Sequence, residues 1–130
     1  MDNIIEINFK VGFTDQDIDD IVCTAFEGGI NYWCEKVEVV GDYLGEYASD
    51  QISRGGQLKI FDSEDYIEDG FAILDKEKLI KGIKLYCSNS SSTNILVPDK
   101  SGFIIDTCQV DAEVADCIIQ YALFDEIVFG

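Results

Sequence analysis

The stretch Ile5-Glu6-Ile7-Asn8-Phe9-Lys10-Val11-Gly12-Phe13 runs straight into Thr14-Asp15-Gln16-Asp17-Ile18-Asp19-Asp20-Ile21-Val22-Cys23-Thr24-Ala25, and the hydrophobic period changes at the junction. Up to Phe13, apolar and polar residues alternate, which predicts a strand with one buried face. From Thr14 onward the apolar residues are Ile18, Ile21, Val22 and Ala25, the spacing of one helical face. Thr14 is placed to cap that helix, with Asp17 three positions on, and Asp15, Asp19 and Asp20 lie near its positive end. Gly28-Gly29 is expected to end it. A strand joined directly to a helix by a capping residue points to an α+β domain.

The same reading extends along the chain. Val37 to Val40 reads as a short extended piece, and residues 42 to 54 as a short helix or an irregular loop. Leu58, Ile60 and the run Phe71 to Leu74 predict a hairpin around the acidic loop Asp62 to Asp69. Asp75 is placed to cap a second helix with Leu79, Ile80, Ile83 and Tyr86 inward. Ser88 to Ser92 is a polar loop, with the sole proline, Pro98, just beyond it. Gly102 to Asp106 reads as another strand. Asp111 should cap a last helix whose inner stripe is Val114, Ala115, Ile118, Ile119, Ala122 and Leu123. The apolar ending Phe124 to Gly130 is expected to dock on the core. The expected architecture is one domain over residues 1–130, a small antiparallel or mixed sheet packed against about three helices.

Composition narrows the function. The 130 residues are 47% apolar and 12% aromatic, enough for one core. No run reaches the roughly 18 apolar residues of a membrane span, so no membrane partner is expected. Met1 to Glu6 lacks a basic region followed by an apolar run, so no secretory signal is expected and a cytoplasmic location is. The five cysteines are odd in number and form no CxxC, which favours reduced, hydrophobe-like thiols over disulfides or zinc. Histidine is absent, removing the commonest general base and metal ligand. A net charge of −17 argues against nucleic acid as a partner. The triplet Asp15, Asp17, Asp19 fails as a calcium loop, because Asp20 stands where glycine belongs and Phe26 where glutamate belongs. No metal, no cofactor and no enzymatic activity are expected.

Three features suggest a ligand instead. Arg54 is the sole arginine, beside eight lysines and 26 acidic residues, and it precedes Gly55 and Gly56. A guanidinium offers a planar fork of donors to phosphate, and the glycines are expected to expose backbone N–H groups and allow close approach. A structural ion pair with a carboxylate is the competing reading, and the two stay open. Lys76, Lys78, Lys81 and Lys84 lie within nine residues of the second helix. Lys81 and Lys84 could flank an anion, while Lys76 and Lys78 read as a wet helix face. Finally, Glu27, Asn31, Tyr32 and Trp33 cluster after the first helix, where a ring and an amide could hold a purine. Trp33 could equally fill the core.

The segments Glu27 to Cys34, Tyr47-Ala48-Ser49-Asp50-Gln51-Ile52-Ser53-Arg54-Gly55-Gly56, and Asp111…Asp116…Gln120…Phe124 to Gly130 resemble a family of small phage and prophage proteins across nearly the whole chain. That family is similar to the Thoeris anti-defence 1 proteins, sponges that sequester cyclic ADP-ribose signals made by bacterial TIR-domain enzymes. The resemblance implies a homo-oligomer in the cytoplasm of an infected bacterium that binds the signal without cleaving it, with cyclic oligonucleotides as further ligands. It carries Arg54, Gly55, Gly56, Asn31 to Trp33 and the polar loop near Asn94 over as ligand-binding positions. Asp125 departs from the pattern, standing where relatives are expected to have glycine. The competing expectations are an acidic inhibitor that mimics nucleic acid toward a basic host effector and a hydrolase of the same nucleotide.

Overall fold

The computed structural model describes residues 3, 5, 8–89 and 95–130. Asp17 Oδ2 accepts from Thr14 N at 2.9 Å, and Asp17 N donates to Thr14 Oγ1 at 3.1 Å. This reciprocal cap starts α1 (Asp15–Thr24), as the spacing predicted. Ile18, Ile21, Val22 and Ala25 are all fully buried. The helical path runs on through one wider π-type turn, Ala25–Gly29, and ends at the glycines as expected. Gly29 lies so close to the Ala112 carbonyl that an added Cβ would sit 2.8 Å from it, so this turn ends in a helix contact.

The chain forms two three-stranded sheets. In the antiparallel one, β2 (Cys34–Val40) pairs with β3 (Gln57–Asp62), which pairs in turn with β4 (Phe71–Leu74). The hairpin of β3 and β4 is the one predicted, with Leu58, Ile60 and Leu74 fully buried. β2 is longer than its Val37–Val40 reading. The other sheet is mixed: β1 (Lys10–Gly12) runs parallel to β6 (Gly102–Ile105), which pairs antiparallel with β5 (Leu96–Asp99). β1 is three residues long, where alternation had suggested a strand from Ile5 to Phe13, and Ile7 lies outside the described residues. β5 was not anticipated, since Pro98 seemed to mark only a loop. It is an edge strand, where a missing N–H does least harm. Three helices with small mixed and antiparallel sheets make the fold α+β, as expected.

Two further helices complete the core. Asp75 caps α2 (Lys76–Asn89), its Oδ1 accepting from Lys78 N at 2.9 Å. Asp111 caps α3 (Ala112–Phe124), its Oδ1 accepting from Val114 N at 2.9 Å. Ala115, Ile118, Ile119 and Ala122 on α3 are fully buried. Burying each isoleucine contributes about 1.5–3 kcal/mol. Helices α2 and α3 cross closely at Gly82, where an added Cβ would meet the Ile118 carbonyl oxygen and come within 2.9 Å of Ala122 Cβ. Ile80, expected inward, is 37% exposed.

The C-terminal tail docks on this core, as predicted, and the α3 side chain Gln120 holds it. Gln120 is fully buried, and its Oε1 accepts from Val128 N and Phe129 N, both at 2.8 Å. Its Nε2 donates to Phe129 O at 3.2 Å and to Asp116 Oδ1 at 2.9 Å. The glutamine amide thereby serves the tail as a neighbouring strand would. Phe129 stacks on Trp33 at 4.9 Å with 13° between the ring planes. Asp125 turns the chain at φ 62°, a left-handed conformation that favours glycine, while its carboxylate pairs with Lys81 Nζ at 2.7 Å.

Candidate functional site

Between β2 and β3 the chain forms a shelf whose underside is built from two side chains. Gln51, fully buried, accepts from Leu44 N at 2.7 Å through Oε1 and donates to Asp42 O at 3.3 Å through Nε2. Asp50 Oδ2 accepts from Glu46 N at 3.1 Å and Tyr47 N at 3.0 Å. Ser53 Oγ ties the following turn to α1 by donating to Asp19 Oδ1 at 2.6 Å. Three residues of one short segment, Asp50, Gln51 and Ser53, therefore fix where Arg54 stands. Gly55 follows with φ 88°, a conformation glycine adopts without steric cost.

Arg54 is exposed on this shelf, with its Nε against Gly45: a Cβ built there would fall 2.9 Å away. Among the described residues the ion pairs are Lys36–Glu38, Lys76–Asp15 and Lys81–Asp125, and Arg54 belongs to none of them. Asp50 also borders Gly45, but its carboxylate already receives two backbone N–H donors. The glycines do not supply free amides, contrary to expectation. Gly55 N donates to Ile52 O at 3.1 Å and Gly56 N to Gln51 O at 2.8 Å, because the turn needs both to close.

The other predicted positions are spread over the surface. Glu27 is exposed on the π-type turn. Asn31 lines a shallow cleft of about 380 Å³ with Phe26, Ile30 and Val37. Tyr32 lines a different one, about 400 Å³, with Asp116, Gln120, Ile127 and Gly130. The Tyr32 ring is 53% exposed, but its hydroxyl donates to Asp116 Oδ2 at 2.6 Å. Its pKa is pushed up to about 12, chiefly by burial of the hydroxyl and then by the Asp116 carboxylate. Lys81 is committed to Asp125, and Lys84 borders an apolar groove of about 610 Å³ between β1 and α2. Arg54 lines none of these clefts. Asn94 lies outside the described residues.

Trp33 is a correction to the stacking reading. It is fully buried, its Nε1 donates to Asp116 Oδ1 at 2.8 Å, and Phe129 covers its face. No ligand ring reaches it while the tail is docked. Tyr43, Leu44 and Tyr47, which precede Arg54 in the chain, are 60%, 48% and 61% exposed, and Tyr43 lines a separate cleft of about 480 Å³ with Glu38, Val40 and Lys59. Nothing in their local pattern distinguishes them from core aromatics. Asp116 and Gln120 did carry a signal, being polar residues four apart on an otherwise apolar face.

Nucleophilic chemistry has little support among the described residues. Burial pushes the thiols of Cys23, Cys34, Cys87 and Cys117 up from their usual range, Cys34 to about 11, which keeps them protonated at neutral pH. No three of Cys, Asp and Glu converge in a metal-binding arrangement among the described residues. No described helix is long and apolar enough to cross a membrane. No family model, curated protein or solved structure matches the chain.

Proposed function

We propose that this protein binds and sequesters a phosphate-bearing cyclic nucleotide signal of the cyclic ADP-ribose kind, without cleaving it, as a phage anti-defence protein. The observation that supports the reading is Arg54. In a chain with 26 acidic residues, its one arginine is exposed and pairs with no described carboxylate. The competing role, a structural ion pair, thereby loses its partner. A phosphate would take both arms of the fork, and a charge-assisted hydrogen bond contributes about 1.5–3 kcal/mol. The elevated thiol pKa values and the lack of histidine favour holding the ligand over attacking it.

Incubating the protein with cyclic ADP-ribose isomers and then denaturing it tests this directly. Intact ligand recovered from the protein supports sequestration, and fragments would identify a hydrolase. No binding would favour the acidic-inhibitor reading, whose own support is the exposed Glu64, Asp65, Glu68 and Asp69 of the β3–β4 loop. Within the sequestration reading, Arg54→Ala weakens binding by about 2–5 kcal/mol and Arg54→Lys recovers part of it. Neither change lowers the melting temperature appreciably, because no described carboxylate relies on Arg54.

A further inference from the structure

We propose that the outer edge of β2 is a contact between two copies of this chain, which pair their β2 strands antiparallel about Val37 and join three strands from each into one sheet. β2 lies at the edge of its sheet and pairs only with β3 among the described residues. At seven residues it is the longest described strand, whereas natural proteins tend to keep free edges short. Among the described residues, the backbone of 35–40 bonds nothing outside the β2–β3 ladder except the Cys34 thiol, which reaches Lys36 O at 3.4 Å. Two clefts flank the strand, about 380 Å³ beside Cys34 to Val37 and about 480 Å³ beside Val37 to Gly41, and they meet at Val37. Each is lined by consecutive strand residues, whose side chains alternate between the two faces, so what both clefts share is the strand's edge.

Charge selects the occupant and the register. Val37 and Val39 lie opposite the buried Ile60 and Leu58, whereas Lys36 and Glu38 share the solvent face with Phe61 and Lys59. A two-fold axis between two β2 strands has to keep those faces matched, because a slip of one residue turns the valines outward. Centring the axis on Lys36 or on Glu38 sets like charges against each other. Centring it on Val37 sets Lys36 of each strand opposite Glu38 of the other, twice over, with the two Val37 side chains together on the core face. Opposite charges directly across a strand pair stabilise it and like charges destabilise it. Charges on an edge commonly keep strands apart; these do so in the two wrong registers and favour the one on Val37. Both side chains are free to exchange partners, since their pairing within the strand is long, 3.7 Å, at 54% and 46% exposure, and contributes little. The bulge between Cys34 and Lys36 lies outside the run from Lys36 to Glu38 and leaves it regular. The exposed Val97 and Ile104 belong to the mixed sheet, so this contact is separate from that surface, and it does not depend on which ligand the protein binds.

Sedimentation velocity of the full chain over a micromolar dilution series tests the register, with a thermal melt of each variant as the folding control. Lys36→Glu sets two carboxylates against each other and Glu38→Lys sets two ammonium groups against each other. Each variant alone is expected to self-associate on the order of 10- to 100-fold more weakly. Mixed in equal amounts, the two variants carry opposite charges at both facing positions and should recover the wild-type mass. The double reversal Lys36→Glu/Glu38→Lys should recover it within one chain. Misfolding of either single variant cannot produce recovery on mixing. Unchanged self-association in the single variants, or no recovery in the mixture, would overturn the β2 contact. A wild-type mass of 14.5 kDa throughout would overturn a second copy as the occupant, in favour of an extended strand from another protein.

Discussion

Replacing Gln120 with leucine separates the tail from the body of the protein while conserving volume. The native amide makes three hydrogen bonds to the tail backbone, at 2.8, 2.8 and 3.2 Å, and a fourth to Asp116 at 2.9 Å. Leucine fills most of the space, so little cavity term arises and the loss is mainly polar. At roughly 1 kcal/mol net for each neutral bond and about 1.5–3 kcal/mol for the charged one, the expected cost is about 4–6 kcal/mol. That cost has a ceiling. Once it exceeds the free energy that docks the tail, residues 125–130 release and their amides return to water. For a domain of this size the melting temperature should fall by about 10–15 °C. Trp33, the sole tryptophan, reports the event without a label. It is fully buried with Phe129 across its face, so tail release wets the indole and shifts its emission to the red. Steady-state fluorescence and urea melts measure both quantities. A Gln120→Leu protein with wild-type emission and an unchanged urea midpoint would refute the claim that this side chain anchors the tail.

Gly82→Ala should cost about 1–3 kcal/mol in chemical denaturation despite alanine's better helix propensity, because its methyl group collides with the α3 backbone at Ile118; a neutral or stabilising result would mean that the helices part easily. Tyr32 has a folded pKa raised from 10.0 to about 12, so the stability it contributes is complete below pH 10 and lost as pH rises toward 12. Tyr32→Phe should therefore flatten stability against pH across that window in alkaline melts, leaving only the thiol-linked part. Assembly into at least a dimer is expected, with the last helix or the tail near the interface; the Ala115, Ile118, Ile119 and Ala122 stripe of α3 is buried within the chain, whereas Phe9, Ile80, Val97 and Ile104 around β1, α2, β5 and β6 and Ile127 of the tail are exposed. Light scattering should give a mass above 14.5 kDa that Ile104→Asp reduces; a 14.5 kDa species at micromolar wild-type protein would exclude the oligomer.

The local signals were legible because local physics makes them. Thr14, Asp75 and Asp111 cap their helices through contacts within three residues, so sequence spacing alone located all three starts. The stripes of α1 and α3 and the β3–β4 hairpin followed from period, with Val114 and Leu123 of the α3 stripe only partly buried. What failed was decided by partners distant in the chain. The widening of the first helix's last turn, Ala25–Gly29, goes with the close approach of Gly29 to Ala112, which no local pattern announces. Leu96–Asp99 became a strand because β6 offered an edge, which no pattern around Pro98 announces. At the candidate site, sequence identified Arg54 as chemically odd but not its surroundings. That Arg54 has no ion pair among the described residues depends on where the fold places the carboxylates, and the burial of Trp33 depends on a tail 96 residues away from it in sequence. Composition and period determined the three helices and the β3–β4 hairpin. Only tertiary packing decided which rings are covered and which remain open, because burial is a property of neighbours that the chain brings together from opposite ends.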